Sequence, residues 1–365
     1  MKSLYAFIVC AFFCFAFSET NGQGCVAVKN MSSCSLAFDS LDQSGWQFSA
    51  NYRYFRSYKH FRGNHEEKHR VEEGSEVINN DNSIILGAAY SFNTRWSVSA
   101  AIPYSFIDRS SLYEHYGNPS TENPVINPRF HTQSAGFGDL RLTGYYGAVV
   151  NQNLQLILGL GAKLPTGNYR VKDDFHKRGS QGQDSLVYKV VDQSIQLGDG
   201  GFGFTTELNA SIRLSHKFSA YVNGMYLFNP RNTNGVKIRS LTSGVPRSDE
   251  SSVPDQYLAR VGASYQVHTF QLSLGGRFEG IASSDIIGKE DGFRRPGYII
   301  SIEPSIGWRT GNHTFGINLP IALERNRTQN SIDKARTRIT GNYTNGDAAF
   351  ADWLLSVSYA YRLAK

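Results

Sequence analysis

From residue 45 onward, apolar and polar side chains alternate with a period of two along about a dozen segments. In residues 154–164 every second residue is Leu or Ala, whereas Gln155, Gly159, Gly161 and Lys163 take alternate positions. Successive side chains of a β-strand point to opposite faces, so each segment predicts a strand with one apolar face. A transmembrane barrel needs this pattern on every strand, because one face meets lipid and the other meets the lumen.

The alternation predicts twelve strands, and tight polar turns join five pairs of neighbours into hairpins. The strands lie near residues 46–54, 83–92, 95–106, 137–148, 154–165, 204–214, 217–228, 257–267, 269–280, 298–308, 313–324 and 353–363. Long polar connections alternate with the tight turns, and in such barrels the short turns are periplasmic and the long loops extracellular. The predicted fold class is therefore all-β: a transmembrane antiparallel up-and-down β-barrel of about twelve strands over residues 45–365.

Tryptophan placement supports the barrel, because aromatic side chains gather where lipid meets water. Trp46, Trp96 and Trp308 fall at predicted periplasmic strand ends and Trp353 at an external one, all with outward parity. A soluble β-sandwich, the alternative, would bury these aromatics. Some prolines fit less well, since a closed barrel needs every ladder donor; they predict bulges or misplaced strand ends at Pro103, Pro304 and Pro320.

The N-terminus predicts export. Lys2 precedes an apolar run and a small-residue cleavage site at residues 16–18, so residues 1–18 are expected to be a signal peptide. Residues 19–44 then form a periplasmic segment, in which a disulfide between Cys25 and Cys34 is expected in an oxidising compartment. Lipidation of Cys25 is the alternative, although the preceding residues lack the usual apolar position. The predicted location is the bacterial outer membrane.

Inward parity on the predicted strands collects charged residues of both signs. These lumen-lining candidates are Arg53, Asp139, Arg141, Lys163, Glu207, Arg260, Arg277, Glu279 and Glu303. They suit either a salt-bridge network that braces the wall or a selective constriction. The mixed signs argue against a strongly ion-selective ring. Apolar residues with inward parity, including Ile85, Tyr145, Ile157 and Met225, favour amphipathic cargo.

Three stretches carry a resemblance to a known family: Gly136–Leu142, Gly161–Gly167 and Gln196–Phe204. In them the chain resembles the outer-membrane family linked to the MetA pathway of phenol degradation. The resemblance implies a β-barrel channel that imports aromatic or other hydrophobic compounds. Physically, these stretches suit the bending of strands into and out of one long loop, which predicts loop-anchoring roles for Gly136, Gly138, Pro165, Gly167, Asp199 and Gly200.

Other function classes fit the chain poorly. His65 and His69 have the spacing of a helical zinc site, but their charged flanks offer no apolar face to pack such a helix, so a solvated loop is expected. The remaining histidines stand in no spacing that indicates a catalytic group. We therefore expect no enzyme activity, no metal and no cofactor. The net charge of +6 is spread through loops without a nucleic-acid-binding fold.

The sequence thus predicts passive, selective uptake of small hydrophobic or amphipathic solutes through a narrow outer-membrane channel. The alternative is a non-conducting barrel that presents long extracellular loops for surface or partner binding. Expected partners are outer-membrane lipid and lipopolysaccharide, a small hydrophobic solute, and the barrel assembly machinery during folding.

Overall fold

The computed structural model describes residues 44–118 and 127–364. The signal peptide and the Cys25–Cys34 disulfide predicted above lie outside these residues. Two short helices occur in the described chain, α1 (His69–Glu72) and α2 (Ser331–Thr340). Neither is long or apolar enough to cross a lipid bilayer.

One closed antiparallel sheet dominates the described chain. Its strands are β1 (Gly45–Arg62), β2 (His65–Glu66), β3 (Ile78–Ser91), β4 (Trp96–Ser110), β5 (His131–Phe137), β6 (Leu140–Val150), β7 (Leu154–Leu164), β10 (Gly203–Arg213), β11 (Phe218–Phe228), β14 (Gln256–Val267), β15 (Phe270–Ile281), β16 (Gly297–Thr310), β17 (His313–Asn318), β18 (Ile321–Arg327) and β19 (Ala348–Ala364). Two small hairpins stand outside it, formed by β8 (Lys172–Arg178) with β9 (Asp184–Val190) and by β12 (Thr233–Lys237) with β13 (Glu250–Ser252).

The wall has twelve strand positions, which confirms the predicted fold class. β5 and β6 share one position beside β4, and β17 and β18 share another beside β16. The short β2 folds back on the end of β1 above the wall. Pairing of β1 with β19 from Gly45–Ala364 to Phe61–Ala348 closes the cylinder.

The faces of the wall follow the predicted parity. Trp46, Trp96, Trp308 and Trp353 are each at least 40% exposed on the outer face, as the sequence predicts. Trp46 packs against Tyr90 with ring centroids 5.0 Å apart, and the other periplasmic tryptophans have similar aromatic neighbours. These clusters form the girdle expected at a lipid–water boundary.

The prolines coincide with interruptions in the wall. Pro103 of β4 faces the break between β5 and β6, where its carbonyl accepts a hydrogen bond from Gly138 N at 2.8 Å. Pro304 of β16 accepts one from Leu319 N at 3.1 Å, opposite the break between β17 and β18, and Pro320 lies in that break. Each missing donor therefore falls where the ladder is already interrupted, which explains how a closed barrel tolerates these prolines.

Several strands extend further toward the extracellular side than the sequence predicted. β1 ends at Arg62 rather than near residue 54, and β3 begins at Ile78 rather than near residue 83. In these extensions polar side chains pair inside the barrel, as when Asn79 Nδ2 donates to Ser57 Oγ at 2.9 Å. The strand prediction depended on alternating apolar and polar residues, and this alternation is weak where polar side chains bind one another in the strand extensions.

Candidate functional site

Seven of the predicted lumen-lining residues form a charged belt around the middle of the barrel. The belt consists of Arg53, Arg141, Glu207, Arg260, Arg277, Glu279 and Glu303, which come from β1, β6, β10, β14, β15 and β16. All seven point inward and are largely shielded from solvent. The structure therefore places these predicted residues together, in one layer of the lumen.

Ion pairs hold much of the belt together. Glu303 accepts from Arg260 Nε at 2.7 Å and Nη2 at 2.8 Å, and its Oε1 lies 3.4 Å from Arg277 Nη1. Arg277 also donates twice to Glu279, at 2.8 and 2.9 Å. Arg260 and Arg277 stand directly opposite each other across β14 and β15, where like charges repel. Glu303 binds both guanidinium groups and so offsets that repulsion.

The opposite side of the belt carries a smaller cluster. Arg141 Nη2 donates to Glu207 at 3.0 Å, and the Tyr145 hydroxyl donates to the same carboxylate at 3.0 Å. Buried ion pairs of this kind brace a wall, and breaking one leaves an uncompensated charge. The ion pairs agree with the first interpretation offered by the sequence, a salt-bridge network that braces the wall, and a selective constriction stays a prediction.

The belt separates two cavities, as the strand register indicates. Arg260 pairs with Asn223, whereas Leu258, two residues nearer the outside, pairs with Met225. Asn223 lines a cavity of about 460 Å³ on the periplasmic side, which we call the vestibule. Met225 lines a cavity of about 120 Å³ on the extracellular side, which we call the chamber.

The chamber combines apolar and cationic surface. Leu197, Met225, Leu227 and Ile281 supply its apolar lining. Its cationic side chains outnumber the acidic ones: the charged lining residues are Arg141, Lys163, Arg294 and Arg295 with Asp139 and Asp199. Arg294 is 1% exposed and binds Asp285 through both terminal nitrogens, at 2.7 and 2.6 Å. Such a surface suits a small solute with an apolar body and a polar group.

A part of the long loop between β7 and β10 covers the chamber. We call residues 191–199 the inner segment; Val191 and Ile195 are fully buried against Ile107 of β4 and Phe175 of β8. Ile195 O accepts from the Ser134 hydroxyl of β5. The inner segment therefore lies across the mouth of the barrel and packs on its wall.

One ion pair fastens the inner segment to the opposite side of the mouth. Both carboxylate oxygens of Asp192 accept from Arg295, each at 2.8 Å, and Arg109 Nη2 of β4 lies 3.7 Å away. Although burial alone would raise the pKa of Asp192, Arg109 and Arg295 hold it well below its ordinary value. Asp192 is therefore ionised at any physiological pH. We call the Asp192–Arg295 pair the latch.

The motif residues of the family resemblance meet at the base of the inner segment. Asp139 accepts from Gly167 N at 2.9 Å and from Asp199 N at 3.4 Å, and the Asp199 carboxylate pairs with Lys163. Gly200 adopts φ +75°, and Gly136 packs against the Leu197 side chain. Gly138 O accepts from the Thr166 hydroxyl, which follows Pro165. These contacts join both ends of the loop to the break between β5 and β6.

Gly167 is enclosed by backbone atoms on two sides. A Cβ added there would stand 2.9 Å from the carbonyl carbon of Gly138 and 2.9 Å from Leu197 O, both backbone atoms. We expect Gly167→Ala to lower the free energy of unfolding by about 1–3 kcal/mol, measured by urea titration of the folded barrel. The matched control is Gly276→Ala, where the added atom would meet nothing within 4 Å. Equal urea midpoints of unfolding for the two variants would contradict the loop-anchoring role of Gly167.

His65 and His69 do not share a helix. His65 lies in β2 and His69 begins α1, and His69 Nδ1 is 3.6 Å from Glu67. No group of metal-ligating residues suited to an ion occurs in residues 44–118 and 127–364. Arg327 is 1% exposed and pairs with Asp333 at 3.0 Å. Its charge is therefore internal to the extracellular loops.

Sequence reasoning did not find Arg109, Asp192, Arg294 or Arg295. Arg109 lies in β4 beyond residue 106, where the predicted strand ended. The other three lie in loops, where no periodicity marks inward-facing positions. The only available signal was the density of charge in Arg294–Arg295 just before β16. Nothing in the sequence indicated which residues they bind.

No family model and no curated protein matches the chain. Several solved structures match it. The alignment with a crystal structure of an outer-membrane channel from Pseudomonas putida F1 covers 92% of this chain and 100% of that one, at 14% identity and a TM-score of 0.58. The fold is that of an outer-membrane channel. Weaker matches include the Pseudomonas putida toluene transporter TodX, at 8% identity, 94% and 96% coverage and a TM-score of 0.45. The CymD monoaromatic hydrocarbon channel matches at 10% identity, 94% and 98% coverage and a TM-score of 0.43.

The match bears on two predictions. The protein has the closed β-barrel fold of an outer-membrane channel, as the alternation and the hairpin rhythm predicted. The barrel fold implied by the resemblance to the MetA-linked family is confirmed as well.

Proposed function

We propose that the protein lets small hydrophobic or amphipathic solutes diffuse passively across the outer membrane. The observation that carries this proposal is the chamber, where apolar side chains and buried arginines share one small cavity inside the barrel. The barrel fold, shared with an outer-membrane channel, supports the same role. Transport, rather than catalysis, is the activity that these groups suit.

The proposed path has three parts. A solute enters the chamber when the inner segment moves, passes the belt beside Tyr145 and Glu207, and leaves through the vestibule. The side chains that line the vestibule are mainly Ser, Asn and Gln, with Ile157 and Tyr221 among them, so it is wetter than the chamber. A solute would therefore bind in the chamber and be released toward the periplasm.

The chain's surroundings follow from the same proposal. Removal of residues 1–18 and insertion by the barrel assembly machinery would place the lipid-facing aromatics in the bilayer. Exposed basic side chains of the extracellular loops, such as Arg338 and Lys289, would then contact lipopolysaccharide. A disulfide between Cys25 and Cys34 would form in the periplasm.

Planar-bilayer recording tests the proposal. We expect the purified mature chain, once its heat-modifiable gel migration verifies folding, to give small discrete currents. Phenol or octanoate should reduce these currents, whereas glycerol at equal concentration should not. A folded barrel that carries no current under any condition would contradict passage and favour the loop-presenting scaffold.

A further inference from the structure

Below the belt the described chain comprises residues 44–52, 84–102, 142–162, 208–224, 261–276, 304–319 and 357–364. These ranges contain no Asp or Glu. Their charged residues are Arg95, Arg213, Lys217, Arg309 and Arg362. The distribution differs from that of the belt and the extracellular loops, where acidic and basic residues intermix.

Three of these cations line the vestibule itself. Arg213, Lys217 and Arg309 are among its lining residues, and no acidic residue of the described chain is. A sphere of the vestibule's 460 Å³ would have a radius of about 5 Å, less than the Debye length of about 8 Å at physiological ionic strength. Salt therefore screens these charges only in part for a solute inside the vestibule.

The acidic groups above do not cancel this field. Each carboxylate of the belt already binds an arginine of the belt: Glu207 binds Arg141, and Glu279 and Glu303 bind Arg277. The belt carries four arginines and three glutamates, so its own net charge is +1. Nothing in the described lumen below the chamber therefore supplies net negative charge to oppose the vestibule.

We infer that the vestibule selects anions, so that the solutes the channel passes are amphipathic anions, such as aromatic carboxylates. This inference rests on the proposed passage of solutes and names their chemical class. The carboxylate of such a solute would lie near Arg213, Lys217 and Arg309, and its apolar body would contact Ile157 and Tyr221. A cleft lined by charges of one sign raises the local concentration of the opposite ion. The mixed signs noted in the sequence describe the belt and not the vestibule.

Ion selectivity gives the first test. In a tenfold potassium chloride gradient, we expect the reversal potential of the mature chain to indicate chloride permeability at least about threefold above that of potassium. The triple variant Arg213→Gln, Lys217→Gln, Arg309→Gln should bring the ratio close to one. The control variant Lys68→Gln, Lys289→Gln, Arg338→Gln removes the same charge from exposed extracellular positions and should keep the parent ratio.

Two matched solutes then test the substrate class. Phenylacetate and 2-phenylethanol have the same aromatic body and differ in charge. We expect phenylacetate to halve the current at a concentration at least about threefold lower, a difference that the vestibule variant loses and the control variant keeps. A parent channel without chloride preference, or equal block by the two solutes, would overturn the inference while leaving passage of solutes intact.

A measurement that needs no current separates the two proposals. Inorganic pyrophosphate titrated calorimetrically into the protein in phosphatidylcholine nanodiscs should bind to the parent and to the control variant. It should not bind to the vestibule variant. If a barrel that carries no current binds pyrophosphate in this way, the proposed passage of solutes is wrong and the anion site stands. Equal heats of binding for all three proteins would contradict the proposed anion site.

Discussion

Replacing Asp192 with asparagine is expected to raise the conductance of the barrel severalfold. The substitution leaves Arg295 and Arg109 without their shared carboxylate. Breaking a buried ion pair costs about 3–5 kcal/mol, which corresponds to a shift of more than about a hundredfold in the equilibrium between the seated and released inner segment. Single-channel recording of the variant in planar bilayers measures the effect.

The control for the latch variant lies on the same loop. Asp184 pairs with His176 at 2.9 Å, but its side chain is 46% exposed, so Asp184→Asn should leave conductance unchanged. If Asp192→Asn and Asp184→Asn conduct alike, the latch does not hold the channel closed.

Two deletions in the loop between β7 and β10 show which part of it limits conductance. Phe175 of β8 pairs with Val187 of β9, so the tip of this outer hairpin, residues 176–186, can be replaced by a short Gly–Ser link. That deletion keeps Phe175 and Asp192 and should change conductance little. Deleting residues 170–195 also removes the latch and should raise conductance. An equal rise in both would assign the barrier to the outer hairpin instead.

The second large effect is expected at Glu303. Glu303→Gln would leave Arg260 and Arg277 facing each other across β14 and β15 with weaker compensation, and Glu303 is itself fully buried. We expect the free energy of unfolding to fall by about 3–5 kcal/mol. The fraction of heat-modifiable folded barrel across a urea titration reports the loss, and failure of the variant to fold at all would agree with it.

A glutamate on the neighbouring strand serves as the control for this variant. Glu324 of β18 accepts from the Tyr298 hydroxyl at 2.6 Å at an exposed position. Because an exposed hydrogen bond contributes little, Glu324→Gln should keep the parent midpoint. A Glu303→Gln midpoint equal to that of Glu324→Gln would show that the belt does not brace the wall.

Much of this architecture was predictable, because a barrel wall imposes a local rule. Alternation along each strand gave the twelve wall positions, the hairpin pairs and the outward tryptophans, and each of these depends on neighbouring residues only. Inward parity likewise selected the belt residues Arg53, Glu207 and Glu303 without knowledge of their partners. The strand ends were predicted less well, since the polar extensions of β1 and β3 lack an apolar face.

The loops followed no such rule. Residues 191–199 were expected only as part of a long polar connection, yet they pack on Ile107 and fasten to Arg295 on the far side of the mouth. That contact joins residues more than a hundred positions apart in the chain, and no periodicity records it. The prolines are an intermediate case. The sequence indicated that the strands are irregular at these positions, and the structure shows that the prolines coincide with the breaks between β5 and β6 and between β17 and β18.

Alternation along the chain was enough to predict the wall, its topology and the residues that face the lumen, because lipid on one side and water on the other dictate every second side chain. Which of those charges neutralise one another, and what covers the lumen, became visible in the folded structure alone. Strand pairing and loop packing bring together residues that are distant in the chain, and electrostatic pairing depends on distances in space rather than on positions in sequence.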